Sequence, residues 1–142
     1  MNSCNILILK KKNQFLLQLR DKKKNIKSPN HWSLFGGLKR KKESYCKCII
    51  REVKEELSIN IKTPKFLTKI SYFYKINKNT KNIKYFYFIK LNESKIKKMK
   101  LNEGQKMKFF DYSQIFKLEN IVVWDIYSIM YYKKYYKKNN AI

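Results

Sequence analysis

The most constraining feature of this sequence is a cluster of carboxylates in a chain that is otherwise strongly basic. The chain has ten acidic residues against 34 lysines and arginines, yet Glu43, Glu52, Glu55 and Glu56 lie within 14 consecutive positions. Glu52, Glu55 and Glu56 have the i, i+3 and i+4 spacing that places side chains on one face of an α-helix. Because carboxylates on one face repel each other, this spacing indicates a site for a hard divalent cation such as Mg²⁺, which prefers oxygen ligands.

Apolar residues lie among these glutamates and should hold the segment against a core. Cys48, Ile49 and Val53 occupy positions of the same segment, and Ser44 is a suitable N-cap for a helix that ends near residue 57. We therefore predict a helix whose carboxylates lie at the edge of the core.

Four further residues are candidates for the same site. Arg51 adjoins the carboxylates and Glu43 lies at the helix entrance, so that each can orient the other or a ligand. Gly36 and Gly37 lie just upstream. A backbone without Cβ atoms can approach a phosphate closely or present a carbonyl to a metal ion, so we predict that both glycines bind substrate.

Hydrophobic periodicity divides the rest of the chain into short strands and a last helix. The predicted strands are residues 5–9, 14–20, 31–35, 66–76, 83–91 and 109–110, with turns at 10–13 and 77–82. A helical turn is predicted at 113–116 and a last helix at about 121–138, with a buried side formed by Ile121, Trp124, Ile126, Ile129 and Met130. This pattern predicts an α/β (α+β) fold, a mixed sheet flanked by helices, and at 142 residues we expect one domain, 1–142.

Composition excludes several classes of protein. No apolar run approaches the ~18 residues of a membrane helix, and no signal peptide is evident, so we expect a cytoplasmic protein without membrane contact. Three cysteines, an odd number, predict reduced thiols at Cys4, Cys46 and Cys48. The net charge of +24 comes almost entirely from lysine. These lysines either form a solvated surface without a function, as the codons of an A+T-rich genome favour, or a surface that attracts polyanions.

The segment from Gly37 onwards resembles the Nudix box, G-x5-E-x7-R-E-U-x-E-E-x-G-U, in which U is a bulky aliphatic residue. The match over residues 37–59 consists of Gly37, Glu43, Arg51, Glu52, Val53, Glu55, Glu56 and Ile59. Ser58 replaces the second glycine, where we expect a left-handed end of the helix. The resemblance implies an α/β/α sandwich around a mixed sheet, with the box as a loop–helix–loop motif.

The resemblance also implies roles for individual residues. The implied ligands of Mg²⁺, or of Mn²⁺, are the carbonyl of Gly37 and the carboxylates of Glu52, Glu55 and Glu56. Arg51 and Glu43 would position them. The general base would be Glu55, Glu56 or Glu103, because some members place an acid in a late loop; alternatively, Glu103 belongs to a plain turn with Gly104 at positive φ.

The implied reaction is attack of water on one phosphorus of a nucleoside diphosphate linked to another moiety. The small size favours a (d)NTP or oxidised dNTP pyrophosphohydrolase that resembles the 8-oxo-dGTP sanitising branch. The alternatives are a nucleotide-sugar or ADP-ribose pyrophosphatase, an RNA 5′-pyrophosphohydrolase, or a Nudix-fold binding module without catalysis. The predicted partner is a small-molecule nucleotide, and nucleic acid is the less favoured alternative.

Overall fold

A seven-stranded mixed sheet forms the centre of the computed structural model, which describes residues 1–74 and 80–136. The strands are β1 Asn2–Lys10, β2 Gln14–Leu19, β3 Trp32–Ser33, β4 Phe35–Leu38, β5 Lys65–Tyr74, β6 Thr80–Lys90 and β7 Lys106–Phe110. The helices are α1 Tyr45–Leu57, α2 Glu93–Ile96, α3 Tyr112–Ile115 and α4 Val123–Tyr131, which continues as a π-helical segment, Tyr132–Tyr136. Within the two described ranges, no helix is long and apolar enough to cross a membrane.

Strand β1 organises the sheet because it pairs with three other strands. It runs parallel to β6 from Asn2 to Leu9 and antiparallel to β4. At its C-terminal end it pairs antiparallel with β2, where Leu9 lies opposite Phe15, so the predicted first hairpin is confirmed. Strand β2 also pairs with β3 and β7, and β6 pairs with β5.

The two faces of β1 contribute to two separate hydrophobic cores. Ile6 packs in the core under α1, together with Val53, whereas Leu7 packs in the core on the opposite face, together with Ile129 of α4. Alternate residues of a strand point to opposite faces, which is why a nearly continuous apolar strand can serve both cores. Helices therefore cover both faces of a mixed sheet, as the sequence predicts.

Several predicted boundaries are wrong because they depend on pairing between distant segments. The predicted strand 31–35 is two short strands, and β4 continues through both glycines to Leu38. Helix α2 and residues 106–108 of β7 have no counterpart in the prediction. Helix α4 begins at Val123, two residues later than predicted, and the predicted end of the last helix lies outside the described residues. In the predicted turn 77–82, residues 77–79 also lie outside them, and the others belong to β6.

The predicted buried side of α4 is wrong at two positions. Trp124 is 36% exposed and Met130 is 46% exposed, whereas Asp125 and Ser128 are buried. The reason is a long-range contact, since the Asp125 carboxylate accepts a hydrogen bond from the backbone N–H of Leu34. This contact turns the polar side of the first turn inward.

The prediction of three reduced thiols is wrong for two of them. Cys4 of β1 and Cys48 of α1 form a disulfide, and Cys46 is free. Both paired residues are fully buried in the same core, because α1 packs directly on this face of β1. The disulfide therefore connects the helix that carries the glutamates to the central strand.

Candidate functional site

Glu52, Glu55 and Glu56 lie on α1, whose two ends form as the sequence predicts, and Glu43 precedes the helix. The Ser44 hydroxyl caps the helix by accepting a hydrogen bond from the Lys47 N–H at 3.2 Å. The helix ends at Leu57, and the next residue, Ser58, caps it in the left-handed conformation (φ 56°, ψ 24°). The side chain of Asn102 then donates to both the Ser58 hydroxyl and the Glu55 carbonyl, each at 2.8 Å, and satisfies the exposed end of the helix.

Arg51 connects three of the predicted acidic residues. Its guanidinium donates to both carboxylate oxygens of Glu43, at 2.7 and 3.1 Å. It also donates to Glu52 at 2.6 Å and to Glu55 at 3.0 Å. The Arg51 hydrogen bonds are the main reason that the pKa of Glu43 falls from 4.5 to about 2. The pairing of Arg51 with Glu43 is therefore the arrangement that a positioning role requires.

Glu52 and Glu56 lie deeper than the other carboxylates of the cluster. Burial raises the pKa of Glu52, even though Arg51 opposes this change. Glu56 is only 5% exposed, and its carboxylate accepts hydrogen bonds from Gly36 N–H at 2.8 Å and from Gln18 Nε2 at 3.2 Å. Burial raises the pKa of Glu56 from 4.5 to about 8, in spite of these two hydrogen bonds. Repulsion from Glu55 and Glu103 raises the pKa of Glu52 further, and repulsion from Glu52 and Glu103 does the same for Glu56.

Gly36 and Gly37 are required by close approaches that leave no room for a side chain. Gly36 has a φ of 139°, and a Cβ atom there would overlap the carbonyl of Cys4 on β1. A Cβ atom on Gly37 would lie 2.6 Å from a carboxylate oxygen of Glu52. The two glycines therefore bring the backbone of β4 directly against the carboxylates of α1.

Two cavities flank this junction of β4 and α1. The first, about 370 Å³ in volume, is polar: Glu56, Glu103, Gln18, Arg20 and Lys23 are among its lining residues. The structure thus brings Glu103 to the carboxylate site, on a turn in which Gly104 has a φ of 87°. The positive φ expected of a plain turn is also present, so the catalytic role of Glu103 stays a prediction.

The second cavity, about 360 Å³ in volume, lies beside Gly36 and Gly37. Its wall includes Asp125 and Trp124 of α4 and Arg20, which also borders the first cavity. Sequence reasoning missed Asp125 as a candidate. The available signal was an acidic residue between the apolar residues at 124 and 126, in a chain with only ten acids.

The protein-family model of the NUDIX domain matches residues 2–132, which is most of the chain. The chain belongs to the NUDIX family. It is a Nudix hydrolase domain, acting on pyrophosphate bonds in nucleotide-type substrates. No curated protein matches it by sequence.

Solved structures resemble this Nudix hydrolase over nearly its whole length. The MutT protein of Methanosarcina mazei is 22% identical, with a TM-score of 0.73 over 99% of this chain and 95% of that one. An Ap4A hydrolase of C. elegans is 20% identical, with a TM-score of 0.72 over 96% and 98%. The NUDIX domain of Shewanella oneidensis NrtR, complexed with ADP ribose, is 11% identical, with a TM-score of 0.74 over 94% and 86%. At these identities the resemblance shows the fold alone.

Nudix hydrolases typically use divalent metals, and the chemistry of this site fits one. The candidate ligand atoms, from three carboxylates and one backbone carbonyl, are all oxygens, which Mg²⁺ prefers. The Glu52 carboxylate fills the space that a side chain at Gly37 would occupy. Buried carboxylates repel each other, and a bound cation would relieve this repulsion. In the described part of the chain, however, no three His, Cys, Asp or Glu side chains converge as a preformed metal site. Arg51 donates to a carboxylate oxygen of Glu52, and Gln18 and Gly36 donate to Glu56. The assignment of Glu52, Glu55 and Glu56 as ligands therefore stays a prediction.

Proposed function

We propose that this Nudix hydrolase is a (d)NTP pyrophosphohydrolase, with oxidised dNTPs as candidate substrates, that requires Mg²⁺ or Mn²⁺. The observation that carries the proposal is the pair of unlike cavities on either side of the β4–α1 junction. The first is polar and bordered by Arg20 and Lys23, whereas the second has an aromatic wall that includes Trp124. One polar and one aromatic compartment suit a molecule with one base and one chain of phosphates. A dinucleoside polyphosphate would need a second aromatic compartment next to the carboxylates, and none of the described residues that line the polar cavity is aromatic.

The contacts of each residue suit it to a separate role in this reaction. Glu52, Glu55 and Glu56, together with the Gly37 carbonyl, would hold the cation. The cation would neutralise phosphate charge and lower the pKa of a water molecule. Arg51 would keep Glu52 and Glu55 in place, because its guanidinium is fixed by two hydrogen bonds to Glu43.

Glu103 and the carboxylates of Glu55 and Glu56 are the candidates to accept the proton of the attacking water. Glu103 and Glu56 border the same polar cavity, so either can reach a water molecule inside it. Glu55 is the more exposed carboxylate, with 46% of its side chain accessible, and it also pairs with Arg40 at 3.1 Å. We therefore favour Glu103 and Glu56 over Glu55 for this role.

A product-release screen with Mg²⁺ tests the proposal. The substrates are the four dNTPs, 8-oxo-dGTP, nucleotide sugars, ADP-ribose and triphosphorylated RNA. We expect dNMP and pyrophosphate from dNTPs, with the highest kcat/KM among these classes. Turnover of ADP-ribose or nucleotide sugars without turnover of dNTPs would replace this function with the corresponding alternative. A protein that neither binds Mg²⁺ at the carboxylates nor turns over any of these substrates would be a binding module.

One observation favours a second candidate, removal of pyrophosphate from RNA 5′ ends. The net charge of +24 would attract a polyanion over a long range. The two candidates differ in salt dependence, because each phosphate contact along RNA releases counterions. A KM for triphosphorylated RNA that rises steeply between 50 and 200 mM salt, on the order of 10-fold or more, would support RNA. A KM for dNTPs should change much less.

A further inference from the structure

The turn that carries Glu103 is attached to the C-terminal end of α1. The last carbonyls of a helix have no partner within the helix itself. In α1, three of them accept hydrogen bonds from one short segment, residues 100–102. The three bonds join Lys100 N–H to Leu57 at 3.0 Å, Asn102 N–H to Glu56 at 2.9 Å, and the Asn102 side chain to Glu55 at 2.8 Å. The end of the helix that carries the glutamates therefore fixes the segment that leads into Glu103.

Ser58 adds a contact that a glycine could not make. The Asn102 side-chain amide has two N–H groups, and besides the Glu55 carbonyl it donates to the Ser58 hydroxyl at 2.8 Å. The Nudix box has a glycine at this position, and a glycine has no side chain that could accept such a bond. The replacement of that glycine by Ser58 therefore gives the Asn102 side chain a second anchor.

The other side of Glu103 is attached to the end of β2. Gln105 N–H donates to the Leu19 carbonyl at 2.8 Å, and the Gln105 side chain donates to the Arg20 carbonyl at 2.7 Å. Gly104 has a φ of 87°, and a Cβ atom there would lie 3.0 Å from the Leu19 carbonyl oxygen. Glu103 therefore lies between two anchored residues, one attached to α1 and the other to β2.

Glu103 and Glu56 border the same polar cavity, which Asn102 also lines. Both carboxylate oxygens of Glu56 accept hydrogen bonds from the chain, from Gln18 and Gly36, whereas Glu103 is exposed. A proton acceptor must lie within about 3 Å of the water that it serves, and a misplacement of about 1 Å can lower a rate by about 100-fold. The turn therefore has to be held in place for Glu103 to act in this cavity.

We propose that Asn102 and Ser58 are positioning residues, which hold Glu103 where its carboxylate accepts the proton of the attacking water. In this step the water oxygen bonds to phosphorus, and the bond from that phosphorus to the leaving phosphate oxygen breaks. The proton that the water loses goes to the Glu103 carboxylate. Because Asn102 bonds to the same helical turn that carries Glu55 and Glu56, the acceptor keeps a constant separation from those carboxylates. The inference rests on the proposed function, since it takes the proton acceptor from the polar cavity.

A double-mutant cycle with Glu103→Gln tests the proposal. The substrate is the one with the highest kcat/KM in the product-release screen. We expect Asn102→Ala to lower kcat by about 10-fold or more in the wild-type chain and to leave KM within about 2-fold. Glu103→Gln should lower kcat by about 100-fold or more. In that background Asn102→Ala should change kcat by less than about 2-fold, because the group that it displaces is already lost.

Three results of this cycle would overturn the proposal. Equal effects of Asn102→Ala in both backgrounds would do so, because a weakened helix end lowers the rate whether or not the Glu103 carboxylate is present. An unchanged kcat in Asn102→Ala would show that the turn needs no anchor. An unchanged kcat in Glu103→Gln would show that Glu103 does not accept the proton.

Two further variants separate positioning from stability. Ser58→Ala breaks the contact with Asn102 from the other side, and it serves if Asn102→Ala does not fold. It should lower kcat by about 3-fold or more in the wild-type chain and not in Glu103→Gln, the scale of one hydrogen bond. Asn92→Ala is the matched control, since Asn92 is also exposed and its side chain caps α2 by accepting from Lys95 N–H at 2.9 Å. Thermal melting compares the losses of stability, and a fall in kcat in Asn92→Ala as large as in Asn102→Ala would refute a positioning role.

Failure of the inference can be distinguished from failure of the proposed function. Hydrolysis of dNTPs, with equal effects of Asn102→Ala in both backgrounds, would keep the reaction and remove the positioning role. Hydrolysis of ADP-ribose or nucleotide sugars in place of dNTPs, with an effect of Asn102→Ala that disappears in Glu103→Gln, would replace the substrate and keep the role of Asn102.

Discussion

Replacing Glu56 by glutamine separates catalysis from folding at the most deeply buried glutamate of the site. Glutamine keeps the volume and helix propensity of glutamate but has no charge. Its oxygen can accept the hydrogen bond from Gly36 N–H, and its amide nitrogen can donate to the oxygen of Gln18 once that amide turns over. The fold should therefore persist while a predicted metal ligand is weakened.

The effect on stability follows from the raised pKa of Glu56. Its pKa is about 8 in the folded, metal-free protein, whereas the ordinary value, which we take for the unfolded chain, is 4.5. The unfolded chain therefore releases the proton at a lower pH than the folded protein does. Ionisation therefore opposes folding, and the wild-type protein loses stability as the pH rises from about 4.5 to about 8. The full difference corresponds to ~5 kcal/mol at most. Weaker hydrogen bonds to the neutral amide offset part of this difference in the variant, on the order of 2 kcal/mol.

We expect Glu56→Gln to raise the free energy of unfolding by ~1–3 kcal/mol at pH 8 and to leave it nearly unchanged at pH 4.5. The corresponding rise in melting temperature is about 3–10 °C. Thermal melting in excess EDTA at both pH values measures it against wild type. Turnover with Mg²⁺ should fall by at least about 100-fold, the scale of several kcal/mol that metal charge stabilisation supplies.

The opposite pattern would refute this reasoning. If the Glu56 carboxylate were only a structural partner of Gln18 and Gly36, its neutralisation would lower the melting temperature at pH 8 and leave turnover near normal. A variant with these two properties would remove Glu56 from the metal site. A large loss of turnover with a pH-independent change in melting temperature would show that burial does not raise the pKa of Glu56.

Three further predictions concern the metal and the support of α1. Excess EDTA should abolish hydrolysis and Mg²⁺ or Mn²⁺ should restore it; full activity in EDTA would exclude a metal mechanism. Ser58→Gly removes the strain of a left-handed serine, ~1 kcal/mol, but it also removes the hydrogen bond between Ser58 and Asn102. Because the two effects oppose each other, the free energy of unfolding, measured by chemical denaturation, should lie within about 0.5 kcal/mol of the wild-type value. Ser58→Ala keeps the strain and loses the bond, and it should be less stable by ~1 kcal/mol; equal stability of the two variants would contradict the left-handed end. In Arg51→Lys, the lysine cannot bind Glu43 through two parallel hydrogen bonds, so kcat should fall by about 10-fold or more with little change in KM. An unchanged kcat would show that Arg51 does not position the site.

The sequence was sufficient to predict α1 because its signals are local. Ser44, the helical spacing of the glutamates and the expected left-handed residue at Ser58 all act within a few positions along the chain. The mixed sheet could also be predicted from the alternation of short apolar segments with polar turns. These features do not depend on which distant segments come together.

The features that the sequence could not predict are set by long-range packing. Asp125 is buried because it bonds to Leu34, 91 positions earlier in the chain. The same contact leaves Trp124 exposed. The disulfide between Cys4 and Cys48 depends on the docking of α1 on β1. The raised pKa of Glu56 similarly requires the burial that β4 and Gln18 provide.

The parallel pairing of β1 with β6 has a consequence for synthesis on the ribosome. The six buried residues of β1 from Cys4 to Leu9 leave the exit tunnel early, yet their parallel partner ends only at Lys90. Until then the strand can pair with β2 and β4 but keeps one open, apolar edge, which is the kind of edge that promotes aggregation. Such non-local parallel pairing also forms slowly. Nascent chains arrested before residue 80 should therefore bind chaperones more strongly than chains arrested after residue 110.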